Sequence, residues 1–154
     1  MLTMFTFLCY HCLHRKKGVI MKLIFITMIF VSSLFSHSLE VNISNIQNIK
    51  GKIYIGVYDK KEGFSILNKQ YLGVIQKITS DNIKYTFVNI SSGTYAISVF
   101  QDENENDILD KNFFGKPTEA YGFSNNIRHT FSSATFDESK FKLIQNQSIN
   151  IDIE

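Results

Sequence analysis

Asp102, Asn104, Asn106 and Asp110 set oxygen-bearing side chains at positions 1, 3, 5 and 9 of one stretch, Asp102-Glu-Asn-Glu-Asn-Asp-Ile-Leu-Asp110. Ile108, at position 7, can add a backbone carbonyl. Hard cations such as calcium gather about six to eight oxygens around one point, and a short loop with this spacing supplies them. Magnesium suits it less, because it demands tighter octahedral geometry. The same residues hold five carboxylates and no Lys or Arg. Water or a cation must screen such a density. The plainer reading is a solvated acidic hairpin, with Asn and Asp bonding their own backbone through Asx turns.

Other residues offer less. A catalytic His129 would need a nucleophile and an orienting acid close by, and serines and acids are too common here to single out a triad. The expected state of His129 is a strand position with its polar tip in water. Asp137 and Glu138 could act as acid and base, but their turn-like setting favours solvation. Glu119-Ala-Tyr-Gly-Phe-Ser-Asn-Asn126 reads first as a self-packed loop. In it Tyr121 and Phe123 plug the sandwich, Gly122 takes an unusual backbone angle, and Asn125 and Asn126 cap chain ends. Its sharper reading is a ligand surface beside the metal, and the absence of Trp weakens a sugar-stacking version.

The elements that must position these residues are strands. Leu39, Val41 and Ile43 alternate with Glu40, Asn42 and Ser44; Ile53, Ile55 and Val57 with Tyr54, Gly56 and Tyr58; Tyr95, Ile97 and Val99 with Ala96, Ser98 and Phe100; and Ile149, Ile151 and Ile153 with Asn150, Asp152 and Glu154. Period-2 alternation puts one face of each strand on a core. Further strands are expected over 73–79, 83–90, 128–134 and 141–144. Turn-forming clusters at 48–51, 80–82 and 91–93 separate them. Helical periodicity is weak; single helical turns fit 60–68 and 137–140. This pattern predicts an all-β fold, an antiparallel β-sandwich of about seven strands, Ig-like or transthyretin-like. One long loop remains, 102–127, of a length that is usually functional. Phe113, Phe114, Tyr121 and Phe123 inside it favour burial and hence order.

The N-terminus reads as a targeting segment. Met21-Lys22 precedes an apolar run from Leu23 to Leu34, and Ser36-His37-Ser38 supplies small residues at a cleavage site. The run is short for a membrane span, which needs roughly 20 residues. The expected domains are an extension and signal peptide over 1–38 and a sandwich over 39–154, exported to the periplasm or beyond after cleavage near Ser38. An uncleaved anchor is the alternative, and either Met1 or Met21 can be the start. Cys9-x-x-Cys12, with His11 and His14 nearby, lacks a second ligand pair and falls in the segment to be removed. Cleavage takes away Arg15, Lys16, Lys17 and Lys22 and no acid, moving the formal charge from +2 to −2. Without a basic patch, nucleic acid is excluded as a natural partner. Residues 39–154 contain no Cys, so an exported domain must draw its stability from its core or a metal.

The run from Gly93 to Asn126 resembles the bacterial domain-of-unknown-function family 2141. The residues that carry the likeness are Gly93, Tyr95, Asp102, Asn104, Asn106, Leu109, Asp110, Asn112, Gly115, Pro117, Glu119 and Tyr121-Gly-Phe-Ser-Asn-Asn126. Weaker similarity covers 39–58, 136–141 and the last strand. The resemblance implies a small exported β-sandwich, similar to transthyretin-like or carboxypeptidase-regulatory-like domains, and no established activity. Two departures matter. Gln101 stands where the family often has His. Asp107 stands where it usually has Gly, at a turn that Asp tolerates less easily. Phe113, at position 12, is not the bidentate Glu of an EF-hand.

The expectation is therefore an exported binding or structural module with calcium held by Asp102, Asn104, Asn106, Ile108 and Asp110. Asn112, Glu119 or water completes the shell, and a protein or glycan of the envelope is the partner. The alternatives are a hydrolase using metal-positioned water with Glu119 or His129, and a metal-free adhesion or envelope accessory domain. The mature domain is not expected to span the membrane.

Overall fold

Branched apolar residues at every second position drive this chain into strands, because each strand then has one face to bury. The computed structural model describes residues 36–130 and 132–154. The expected signal peptide up to residue 35 and the Cys9/Cys12 pair lie outside them, and the last expected residues of that peptide, Ser36–Ser38, belong to a strand. Among the described residues eight strands form: β1 (Ser36–Ser44), β2 (Lys52–Tyr58), β3 (Leu72–Lys77), β4 (Ile83–Ser91), β5 (Gly93–Asp102), β6 (Tyr121–Phe123), β7 (Phe141–Leu143) and β8 (Gln147–Asp152). The described residues also form a 3₁₀ turn, Ser124–Asn126, and a short helix, α1 (Phe136–Ser139). The strands form two sheets, one in the order β4-β1-β8 and one in the order β3-β2-β5-β6 with β7 also on β5. The predicted all-β sandwich is what the chain adopts.

The core lies between the sheets. Leu39, Val41 and Ile43 of β1 and Ile151 of β8 meet Ile53, Ile55 and Val57 of β2 and Ile97 and Val99 of β5. A smaller cluster of Tyr58, Ala96 and Phe136, with Phe64 against it, closes one end. Residues 37–154 form one compact unit. They hold both sheets and every buried core side chain of the described residues, so this unit carries what its own folding requires.

The pairing of β1 with β8 departs from a purely antiparallel expectation. β1 and β8 run parallel, from Leu39 opposite Gln147 to Ser44 opposite Asp152. A parallel pair needs a long crossover, and here the rest of the sandwich serves as that crossover. At one seam the two sheets touch through backbone. Tyr121 N–H donates to Glu154 O at 3.1 Å, and Glu154 N–H donates to Tyr121 O at 3.2 Å.

Four expectations are corrected. Residues 128–130 and 132–134 form no strand. Only Ala134 among them is buried, so no face exists to pack on a sheet. Segment 60–68 forms successive turns rather than a helix, because Gly63 and Ser65 take left-handed backbone angles. The long loop is shorter than 102–127, since β6 pairs with β5 through Ser98–Phe123 and Phe100–Tyr121. Finally, Phe113 and Phe114 are not buried at all; they are 96% and 90% exposed.

Candidate functional site

The pairing of β2 with β5 sets the site. Lys52 stands opposite Asp102 and Tyr54 opposite Phe100, so the outward row of β2 flanks the end of β5. Asp102 is the last residue of β5 and is fully buried. Gly51, just before β2, has φ +71°, and a Cβ there would lie 2.0 Å from Asp102 O. Only glycine lets the backbone approach this closely.

From Asp102 the loop folds on its own side chains. Asp102 Oδ1 accepts the Asn106 N–H at 3.1 Å, and Oδ2 accepts the Asp107 N–H at 2.8 Å. Asn104 Oδ1 accepts the Asn106 N–H at 3.1 Å, and Asn106 Oδ1 accepts the Ile108 N–H at 3.0 Å. These are successive Asx-type turns, in which a short polar side chain replaces a backbone acceptor. The far end closes the ring. Asn104 Nδ2 donates to Asp110 Oδ2 at 2.6 Å, and Asn106 Nδ2 donates to Asp110 Oδ1 at 3.1 Å. Asn104, Asn106 and Asp110 thus meet directly, and Asp102 joins them through the Asn106 amide.

Glu119 ties the loop to itself through backbone. It is 8% exposed. Its Oε1 accepts the Glu103 N–H at 2.8 Å and its Oε2 accepts the Asp110 N–H at 2.9 Å. One carboxylate therefore ties the first and last turns of the loop together, and each of its oxygens already has a backbone partner. Asn112 likewise serves backbone, with its Oδ1 accepting the Phe114 and Lys116 N–H groups.

The outer acids are neutralised from β2. Asp107 takes the left-handed conformation, with φ 65°, where the family usually has Gly. Its carboxylate accepts the Tyr54 hydroxyl and lies 3.7 Å from Lys52 Nζ. The Tyr54 bond and then Lys52 hold the Asp107 carboxyl below its ordinary value. Burial first, and the Asp107 bond second, push the Tyr54 hydroxyl well up. Glu105 pairs with Lys52 at 3.4 Å and raises the ammonium. Glu103 pairs with Lys50 at 2.9 Å and accepts from Asn48, and both lower its carboxyl. Only the alternation of β2, read together with its pairing to β5, could have marked Lys52 and Tyr54 as partners of this loop.

Residues 41–152 match a family described as an uncharacterized protein conserved in bacteria, DUF2141. The chain belongs to this family. No curated protein and no solved structure matches it. The family assignment extends across the loop and the strands that hold it, and it brings no activity with it.

The remaining features of this DUF2141 domain stand apart from the loop. Gln101, where the family often has His, is buried and donates through Nε2 to Asn48 O and Lys50 O. It fastens the β1–β2 turn beside the site. His129 pairs with Glu138 at 2.9 Å. Glu138 also accepts the Thr135 N–H at 2.8 Å, and Asp137 pairs with Lys140 and Lys61. These acids cap and brace α1. The 3₁₀ turn that precedes His129 is held by Ser124, whose Oγ accepts the Ile97 N–H at 2.8 Å. Ile97 and Asp102 are five positions apart on β5, about 17 Å along a strand. The hydrogen-bond partner of His129 is Glu138, and those of Glu119 are the Glu103 and Asp110 N–H groups.

Among the described residues no three His, Cys, Asp or Glu side chains converge as a metal-holding group. A cation at this loop would rely on Asp102 and Asp110, with amide and main-chain oxygens for the rest. Beside Asp107 a shallow groove of about 560 Å³ runs over β2, β3 and β5, lined by Tyr54, Gly56, Gly73, Ile75, Ser98 and Phe100. The segment 119–126, read above as a ligand surface, does not line it. Gly122 there needs no unusual angle; its Cβ would meet Ile151 Cγ2 at 2.8 Å and Asp152 O at 2.9 Å.

Proposed function

We propose that this DUF2141 chain is an exported, non-catalytic β-sandwich module whose 102–110 loop takes calcium as a structural ion. The reading rests on one observation: the Asn104 and Asn106 amides both reach the Asp110 carboxylate, within 2.6 to 3.3 Å. The loop thus gathers the side chains of positions 3, 5 and 9, while the Oδ1 atoms of Asn104 and Asn106 accept the Asn106 and Ile108 N–H groups and position 1 accepts the Asn106 N–H. Each carboxylate and amide oxygen has two lone pairs. An Asx-bonded oxygen therefore keeps one for a cation. The ligands are Asp102, Asn104, Asn106, Asp110 and the Ile108 carbonyl, with water in the rest of the shell. The ion replaces the two amide donors as the partner of Asp110. Export is supported by the charged, apolar and small-residue pattern of residues 21–38.

Only two of these ligands carry charge. Calcium affinity follows the ligand charge count, so a dissociation constant in the range of extracellular modules, about 10⁻⁴ to 10⁻³ M, is expected. The metal-free envelope domain is the second reading, favoured by the hydrogen bonds that Asp102 and Asp110 accept from the loop's own N–H and amide groups. Thermal unfolding of residues 37–154 separates the two. Calcium at 100 times its dissociation constant adds about 2.7 kcal/mol to a folded state that alone binds it. The melting temperature should rise with millimolar calcium, return with chelator, and cease to respond in Asp110→Asn. A melting temperature indifferent to calcium leaves the metal-free reading.

A further inference from the structure

The tip of the long loop carries the most exposed large apolar groups of the described residues. Phe113 and Phe114 are 96% and 90% exposed, with rings edge-to-face at 5.6 Å. Two adjacent rings in water are unfavourable by themselves, and an ordered loop that holds them outward is informative. The turn is well braced. Gly115 N–H donates to Asn112 O at 2.9 Å, and Asn112 Oδ1 accepts from Phe114 and Lys116. Lys111 and Pro117 form a β-bridge at its base, and Thr118 N–H donates to Asp110 O at 2.9 Å. The backbone presents the rings; it does not merely fail to bury them.

The charge around the rings names the partner. Lys111 and Lys116 flank them, and no acidic residue lies between Lys111 and Thr118. Among the described residues neither lysine forms a salt bridge. The rest of the domain is net acidic, so an anionic surface attracts this tip and repels the body behind it. Rings beyond lysines on a rigid turn match the layering of a bilayer interface. Apolar groups sit at the acyl boundary there, and long basic side chains reach back to phosphates.

We propose that the 111–117 turn is a membrane-docking tip, inserting Phe113 and Phe114 into the interfacial layer of an anionic bilayer with Lys111 and Lys116 on lipid phosphates. This does not depend on calcium at the neighbouring loop.

The chain contains no Trp, so Phe113→Trp places a single indole at the tip. Residues 37–154 of that variant omit the apolar N-terminal run, which would bind lipid by itself. The protein is mixed with vesicles of phosphatidylcholine alone and of phosphatidylcholine with phosphatidylglycerol. Emission should shift to the blue, and lipids brominated near the headgroup should quench it, with the anionic vesicles only. Phe114→Ala should weaken binding roughly tenfold, the effect of losing one ring's burial. The double change Lys111→Glu and Lys116→Glu should weaken it by more than about tenfold. Added salt should weaken binding too. All four positions are exposed loop sites, so unchanged melting temperatures confirm that the variants are folded. An emission spectrum that neither vesicle alters overturns the proposal, as does an equal shift with both vesicles that survives the lysine reversals. A shift that grows with protein concentration in the absence of lipid also overturns it, and assigns the tip to a second copy of the chain.

Discussion

At the scale of single residues, Glu119 carries the loop. A buried carboxylate that accepts two backbone amides has one replacement of equal shape and unequal chemistry. In Glu119→Gln one oxygen becomes an NH₂ group facing the Glu103 or Asp110 N–H, so a buried donor loses its acceptor. Leaving a buried polar group unsatisfied costs about 1–3 kcal/mol. The urea midpoint of Glu119→Gln should fall accordingly, and Glu119→Ala should fall at least as far. A variant as stable as the parent would show that Glu119 does not hold the loop. Spacing alone made Asp102, Asn104, Asn106 and Asp110 legible, because Asx turns and cation loops draw on the same short oxygen-bearing side chains. Spacing offered Glu119 as a ligand but could not show that its two oxygens accept the Glu103 and Asp110 N–H groups. Tyr54 and Lys52 were invisible from the loop itself. They come from a strand some fifty residues earlier, joined only by sheet register.

At the scale of elements, alternation revealed most strands and even their inward faces, since branched apolar residues at every second position leave little choice. It failed where strands are short or where tertiary contact decides. Three-residue β6 shows no periodicity of its own; it exists because Ser98, Val99 and Phe100 offer β5's edge. Segment 128–134 shows the converse, polar on every described side but one. Gly122, in the middle of β6, makes the seam between the sheets testable. A methyl there would stand 2.8 Å from Ile151 Cγ2 and 2.9 Å from Asp152 O. Flexible side chains can yield to such a clash, but a backbone oxygen cannot yield cheaply. Gly122→Ala should therefore lose about 1–3 kcal/mol, the usual effect of overpacking a core. It should also speed amide exchange at Tyr121 and Glu154, whose N–H groups bridge the seam. Loss of stability without faster exchange at those two amides would place the damage elsewhere.

At the scale of the whole molecule, pH probes where the charge and the burial lie. The carboxyls of Asp107, Glu103, Asp137, Glu138 and Glu40 are all held below their ordinary values by hydrogen bonds and cations on the surface. A lowered carboxyl adds stability above the unfolded value and loses it as pH falls through the folded one. Stability should therefore decline only below the ordinary values of 3.8 to 4.5. The decline should be shallow, because exposed ion pairs contribute little and are screened. The alkaline side works in the opposite sense. Burial pushes the hydroxyls of Tyr54, Tyr58 and Tyr95 above the ordinary value of 10.0. A raised tyrosine adds its stability fully below the unfolded value and loses it as pH climbs past 10 toward the folded one. These groups sit within or against the sandwich, so the alkaline limb should be steeper than the acid limb. Phenolate absorbance followed together with circular dichroism checks this. The raised hydroxyls of Tyr54, Tyr58 and Tyr95 should ionise above pH 10, together with the loss of the β signal, and Tyr54→Phe should make the alkaline limb shallower. If all phenolates appear near pH 10 while the sandwich stays intact, water reaches these rings freely.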